Sequence, residues 1–177
     1  MENKKRVFIG ADPGKSGAIC CIDQNSNVVS THILPTIGKQ YDTRAISKII
    51  KFYKSSYDSV FAVENVGIIA KGTKATNASL HFCKGMLVGM VVMTDCRWDN
   101  PTPQIWQKEV WEASDKVYKP KKPDQKTARI DPKGTSLLCA KRLWPLENFL
   151  ATKRSSVPHD GIIDALLIAE WLRRKYN

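Results

Sequence analysis

Acidic residues are scarce in this 177-residue chain: 17 Asp and Glu stand against 28 Lys and Arg, for a net charge of +11. A balance that basic argues against an acidic solvating segment and suggests a polyanionic partner. Long apolar runs are missing too. None approaches the roughly 18–20 residues that a membrane span needs, so no membrane partner is expected. Histidine occurs three times and cysteine five times, without a C-x-x-C pair or other ligand spacing, which argues against zinc. An odd cysteine count with no such spacing fits small apolar side chains kept reduced. Cys20 and Cys21 are neighbours in an extended stretch and should face opposite ways. No signal-peptide core separates Met1-Glu2-Asn3-Lys4-Lys5-Arg6 from the apolar Val7-Phe8-Ile9, so a cytoplasmic protein is expected.

The basic excess is uneven. Between Lys116 and Arg154 eleven Lys and Arg face only Asp124, Asp131 and Glu147. Nucleic acid is the natural polyanion for such a stretch. Lys15, Lys71, Lys74, Lys108, Lys119, Lys121, Lys122, Lys126 and Arg129 are the candidate DNA contacts.

One short stretch, F-I-G-A-D-P-G-K-S-G at 8–17, looks like a nucleotide phosphate loop. It fails on spacing, since only three residues separate Gly10 from Gly14 where the motif requires four. It fails on context as well: the following Ala18-Ile19-Cys20-Cys21-Ile22 reads as a strand, whereas the motif opens a helix. No nucleotide cofactor is expected. What remains is an aspartate, Asp12, at the end of a strand before a tight Pro-Gly turn.

Hydrophobic patterning predicts strands near 6–11, 17–23 and 27–34, joined by short turns. A helix follows over 45–54, with Ile46, Ile49, Ile50 and Tyr53 on one face. Residues 59–66 form a short apolar run, the mark of a central buried strand, and it carries the lone carboxylate Glu64. A helix from about 77 to 88, a strand around 91–98 and a short helix from Thr102-Pro103 through Trp111 come next. Residues 114–130 read as a mobile Lys/Pro-rich loop. Asp131-Pro132 opens a helix through Leu143, and a last helix spans about 158–175. With no repeat and no strong linker, one domain over 1–177 is expected.

The acids form a pattern. Charge at the end of a buried strand is costly unless it is paired or binds a metal. Asp12 and Glu64 would project from adjacent strand ends if their strands are neighbours. Asp160 and Asp164, four residues apart, share a helix face, about 6 Å apart in rise. That face continues through Leu167, Ile168 and Trp171, which should pack on the sheet. Asp160 could instead cap the helix, a reading that explains Asp164 less well. Carboxylates collected beneath a basic surface suit magnesium, which takes a few carboxylates, water and substrate phosphate. Two such ions about 4 Å apart can activate water and stabilise the leaving oxygen of a phosphodiester.

The chain resembles the RuvC-type Holliday-junction resolvases of the RNase H-like superfamily, particularly their phage, poxvirus and plastid branch. The resemblance is carried by I-G-A-D-P-G-K-S-G-A at 9–18, V-E-N at 63–65, P-x-x-W-Q-K at 103–108, D-P-K at 131–133 and H-D-G-I-I-D-A-L-L-I-A-E-W at 159–171. These pieces span nearly the whole chain. The resemblance implies an α/β RNase H-like fold, with a mixed five-stranded sheet of three antiparallel then parallel strands, flanked by helices. It also implies a homodimer and magnesium- or manganese-dependent symmetric nicking of four-way DNA junctions, with two ions per active site. By position Asp12, Glu64 and Asp164 match the metal-binding acids, Asp160 the fourth, with His159 as its competitor, and Lys133 a lysine near the scissile phosphate. The helix around Leu80, Met86, Leu87 and Met90 is the implied dimer contact. Bacterial relatives present an aromatic in the loop after the strand-end glutamate, and residues 67–77 contain none. The alternatives are another RNase H-like nuclease acting on flaps, ends or RNA–DNA hybrids, and a non-catalytic DNA-binding module. Actin-like ATPases share an opening Asp-Gly hairpin, but their second phosphate hairpin and adenosine motif do not appear.

Overall fold

The computed structural model of the chain describes residues 4–121 and 127–177. Five strands form the main sheet in the order β3-β2-β1-β6-β7. Strands β1 (Arg6–Asp12), β2 (Ala18–Asp23) and β3 (Val28–Ile33) make an antiparallel meander, as their patterning predicts. A two-strand hairpin, β4 (Thr36–Ile37) with β5 (Gln40–Tyr41), follows. It was not expected from the sequence, because two-residue strands leave no periodicity. Helix α1 (Thr43–Ser56) buries Ile46, Ile50 and Tyr53, and Asp42 caps it by accepting from the Ala45 N–H. The chain then crosses to β6 (Asp58–Val63), parallel to β1, and β7 (Arg97–Asp99), parallel to β6.

Helix α2 (Lys74–Val92) is longer than expected, and the strand placed around 91–98 shrinks to β7. The cause lies in Val91 and Val92: Val91 continues the buried face of Cys83 and Leu87 at helical spacing, so the apolar run belongs to the helix end. Helices α3 (Pro103–Val110), α4 (Pro132–Leu143) and α5 (Asp160–Tyr176) complete the order, α3 and α4 each opening on the expected proline. Of the loop expected over 114–130, residues 122–126 lie outside those described. Its flanks are ordered: a 3-10 turn spans Ala113–Asp115, and Tyr118 bridges Ile130. Arg142 anchors that turn by bonding Asp115 at 2.8 Å.

The sheet is covered on both faces. One face packs on α3, α4 and α5 through Phe8, Cys20, Ile22 and Val60, the other on α1 and α2 through Val7, Ile9, Cys21 and Phe61. Cys20 and Cys21 thus do enter opposite cores, and all five cysteines are free. Burying the sheet on both faces explains why β1, β2 and β6 read as continuous apolar runs rather than alternating ones. No helix among the described residues is long and apolar enough to cross a membrane.

Candidate active site

Every acid singled out in the sequence other than those in the basic stretch ends up at one edge of this fold. Parallel pairing aligns Ala11 with Val63, and the Glu64 N–H extends the ladder by donating to the Ala11 carbonyl at 3.0 Å. Asp12 and Glu64 therefore leave the sheet side by side. Helix α5 crosses directly over β1 because Gly10 lets it: a Cβ there would lie 2.0 Å from the Ala165 carbonyl oxygen. At its start, Gly161 sits against the β1–β2 turn, where a Cβ would lie 2.0 Å from the Ser16 carbonyl oxygen. These two close approaches bring Asp164 under Asp12.

The electrostatics record that convergence. Burial raises the Asp12 carboxyl well above the carboxylate range, and the charges of Asp164, Glu64 and Asp160 raise it further. Asp164 is pushed up to about 7, mainly by burial, while the neighbouring Ser136 hydroxyl works against the rise. Burial raises Glu64 as well, opposed by a hydrogen bond from Trp106. That bond runs from the indole Nε1–H to Glu64 Oε1 at 2.7 Å, with Glu64 only 7% exposed. Asp12 and Asp164 keep some surface open to solvent. Mutual influence, rather than a preformed cage, is what the geometry contains: no group of three or more His, Cys, Asp and Glu among the described residues is drawn together tightly enough to hold an ion.

Asp160 differs from the other three. Its side chain is 49% exposed and is paired with Lys133 from the first turn of α4. It is also not the helix cap. His159 holds that position, its Nδ1 accepting from the Ile162 N–H at 3.3 Å, because the chain turns into α5 one residue earlier than an Asp160 cap requires. Asp160 and His159 remain neighbours at the mouth of the acidic group, and Lys133 stands beside it.

Of the candidate DNA contacts, Lys15, Lys71, Lys74, Lys108, Lys119, Lys121 and Arg129 are exposed, and Lys122 and Lys126 lie outside the described residues. Lys15 belongs to the β1–β2 turn next to Asp12, and with Gly14, Ile69, Thr76, Ser79 and Leu80 it lines a small cavity of about 250 Å³. Lys119 bonds Asp131 at 3.5 Å, and Asp131 makes no side-chain cap bond to α4. Sequence reasoning missed three side chains around the acids. Trp106 lay inside a quoted motif without a role, and Ser136 had no signal at all. Lys84, half-buried on α2, donates to Asn65 Oδ1 at 2.5 Å directly beside Glu64.

The architecture is an RNase H-like fold of the RuvC type, with three antiparallel strands followed by parallel ones between helical layers. No family model matches the sequence, and no curated protein matches it significantly. Solved structures do match in shape, two RuvC structures among them. RuvC of T. thermophilus in complex with a Holliday junction substrate superposes with a TM-score of 0.60 at 11% identity, over 97% of this chain and 96% of that one. A second Thermus thermophilus RuvC structure gives 0.61 at 14% identity, over 96% of each chain. At such identities the likeness defines the fold.

Proposed function

We propose that this protein is a divalent-metal-dependent endonuclease that resolves four-way DNA junctions by paired, symmetric phosphodiester hydrolysis. The observation that carries the reading is the concentration of Asp12, Glu64 and Asp164 at the edge of a RuvC-type sheet, each with its carboxyl raised by burial. Buried acids raised by one another destabilise the fold, and a cation between them relieves that cost. The donor set is oxygen only, which suits magnesium or manganese and not zinc. Asp12, Glu64 and Asp164 would hold the metal, with Asp160 completing the set and His159 as its competitor; two ions per site are proposed. When bound, the metal supplies an activated water and a stabilised leaving oxygen.

The chain's own residues supply the rest. Lys133, released from Asp160 by substrate or metal, can meet the scissile phosphate as a point charge. Exposed Lys15, Lys71, Lys74, Lys108, Lys119, Lys121 and Arg129, joined by Lys122 and Lys126, would offset the acids and grip the backbone. Symmetric nicking calls for two copies, and α2 is the proposed homodimer contact through Leu80, Met86 and Met90. Leu87, expected in the same contact, is buried in the core of its own subunit. The quoted motifs support a proposed resemblance to the phage, poxvirus and plastid branch of the resolvases.

Labelled synthetic junctions, linear duplexes, flaps and RNA–DNA hybrids incubated with the protein and magnesium test the reading. Paired symmetric nicks confined to the junction are expected. Preferred cutting of a hybrid or flap would reassign it to another RNase H-like nuclease, and junction binding without any cleavage to a non-catalytic module.

A further inference from the structure

We infer that Trp106 is a positioning residue that aims the Glu64 carboxylate at a divalent cation while leaving its negative charge uncancelled. This rests on the nuclease reading and deepens it. The argument is an internal comparison. Among the described residues three acids are fully buried: Glu64, Asp115 and Glu170. Two are treated as burial of charge normally demands. Asp115 is paired with Arg142 at 2.8 Å, and Glu170 with both Arg173 and Arg174 at 2.8 Å. Among the described residues Glu64 receives no cation. Its side-chain partner is the Trp106 indole, itself 1% exposed, donating at 2.7 Å.

An indole N–H is a donor only and carries no formal charge. It fixes one carboxylate oxygen, here Oε1, and leaves Oε2 and the whole charge available. An arginine at the same place would orient the acid equally well and cancel it. The donor is held in place. Trp106 packs edge-on against Trp111, with ring centroids 6.0 Å apart. The Glu64 backbone is stitched from both sides, since the Asn65 N–H donates to the Pro101 carbonyl at 2.8 Å and Asn100 Nδ2 to the Val63 carbonyl at 2.5 Å. Among the described residues the fold thus pairs the other two buried acids with arginine and leaves Glu64 to a neutral donor.

The test is calorimetric titration of Mn²⁺ and Mg²⁺ into the full chain without DNA, for wild type, Trp106→Phe and Trp106→Leu. Each substitution is expected to weaken binding about 10–100-fold while the protein stays folded by circular dichroism. Trp106→Leu, which also lacks the donor, keeps the result interpretable where Trp106→Phe fails to fold. A second readout is the ¹⁵N-indole spectrum of the wild type, in which the signal missing from Trp106→Phe should move on adding Mg²⁺. Wild-type affinity in both variants, with an unmoved indole signal, overturns this inference alone. A wild-type chain that takes up neither cation overturns the nuclease reading with it.

Discussion

At the scale of single residues, the acids trade stability for binding. Asp164 has an ordinary carboxyl value of 3.8 and is pushed up to about 7 in the folded chain. Between those values the unfolded chain has released the proton and the folded chain still holds it. The unfolded state then binds fewer protons, so this group's contribution to stability falls as pH rises through that window and levels off above it. Glu170, lowered by Arg173 and Arg174 despite its burial, acts in the opposite sense: its stabilisation is present at neutral pH and is lost on acidification. Asp12→Asn removes a buried carboxyl that the charges of Asp164, Glu64 and Asp160 disfavour in its ionised form. In EDTA at pH 8 this variant should melt above the wild type by roughly 2–4 °C, the shift that about 1 kcal/mol produces in a chain of this size. The gap should close at pH 4, where the acids are protonated. Scanning fluorimetry across that range decides, and equal melting curves for the two proteins would mean that the acids do not feel one another. The same variant should lose junction cleavage yet bind junctions normally, because it removes a proposed metal ligand and no phosphate contact. Cleavage at the wild-type rate would remove Asp12 from the site.

At the scale of elements, the acids are brought together by backbone contacts that only glycine allows. Gly161→Ala forces a methyl group to 2.0 Å from the Ser16 carbonyl, so α5 must shift away from the β1–β2 turn. A cost of about 1–3 kcal/mol is expected, as for overpacking generally, together with weaker Mn²⁺ binding. Gly85→Ala is the matched control, since nothing lies within 4 Å of a Cβ there and alanine favours the helix by about 1 kcal/mol. Denaturant melts of the two variants should therefore move in opposite directions. A Gly85→Ala melt that falls instead would show that another surface covers this face of α2. Nothing in the sequence announces which glycine makes these contacts. Gly10, Gly85 and Gly161 look alike until the helix that passes over each is known. Trp106 is a similar case, a tryptophan in an amphipathic helix that would serve as ordinary core without Glu64 opposite its indole nitrogen.

At the scale of the molecule, a net charge of +11 surrounds an acidic notch. Binding driven by lysine–phosphate contacts releases counterions, so junction affinity should fall steeply and linearly on a log–log salt plot. Lys71→Ala and Lys74→Ala should each flatten that slope by about 1 in a fluorescence anisotropy series; an unchanged slope would place those lysines off the DNA. The strand meander, the crossover to a central parallel strand and the placing of Asp12 and Glu64 at neighbouring strand ends were all legible in the order of residues. Strands buried on both faces announce themselves as apolar runs, and a charge ending such a run is conspicuous because burial makes it costly. The length of α2 and the short β4–β5 hairpin were less legible, for helix ends and two-residue strands carry too little periodicity. Which buried acid would be matched by an arginine, and which would be left with an indole, was decided by the tertiary structure alone. Charge compensation depends on what stands a few ångströms away in space: Arg142 reaches Asp115 across 27 residues, and Trp106 reaches Glu64 across 42.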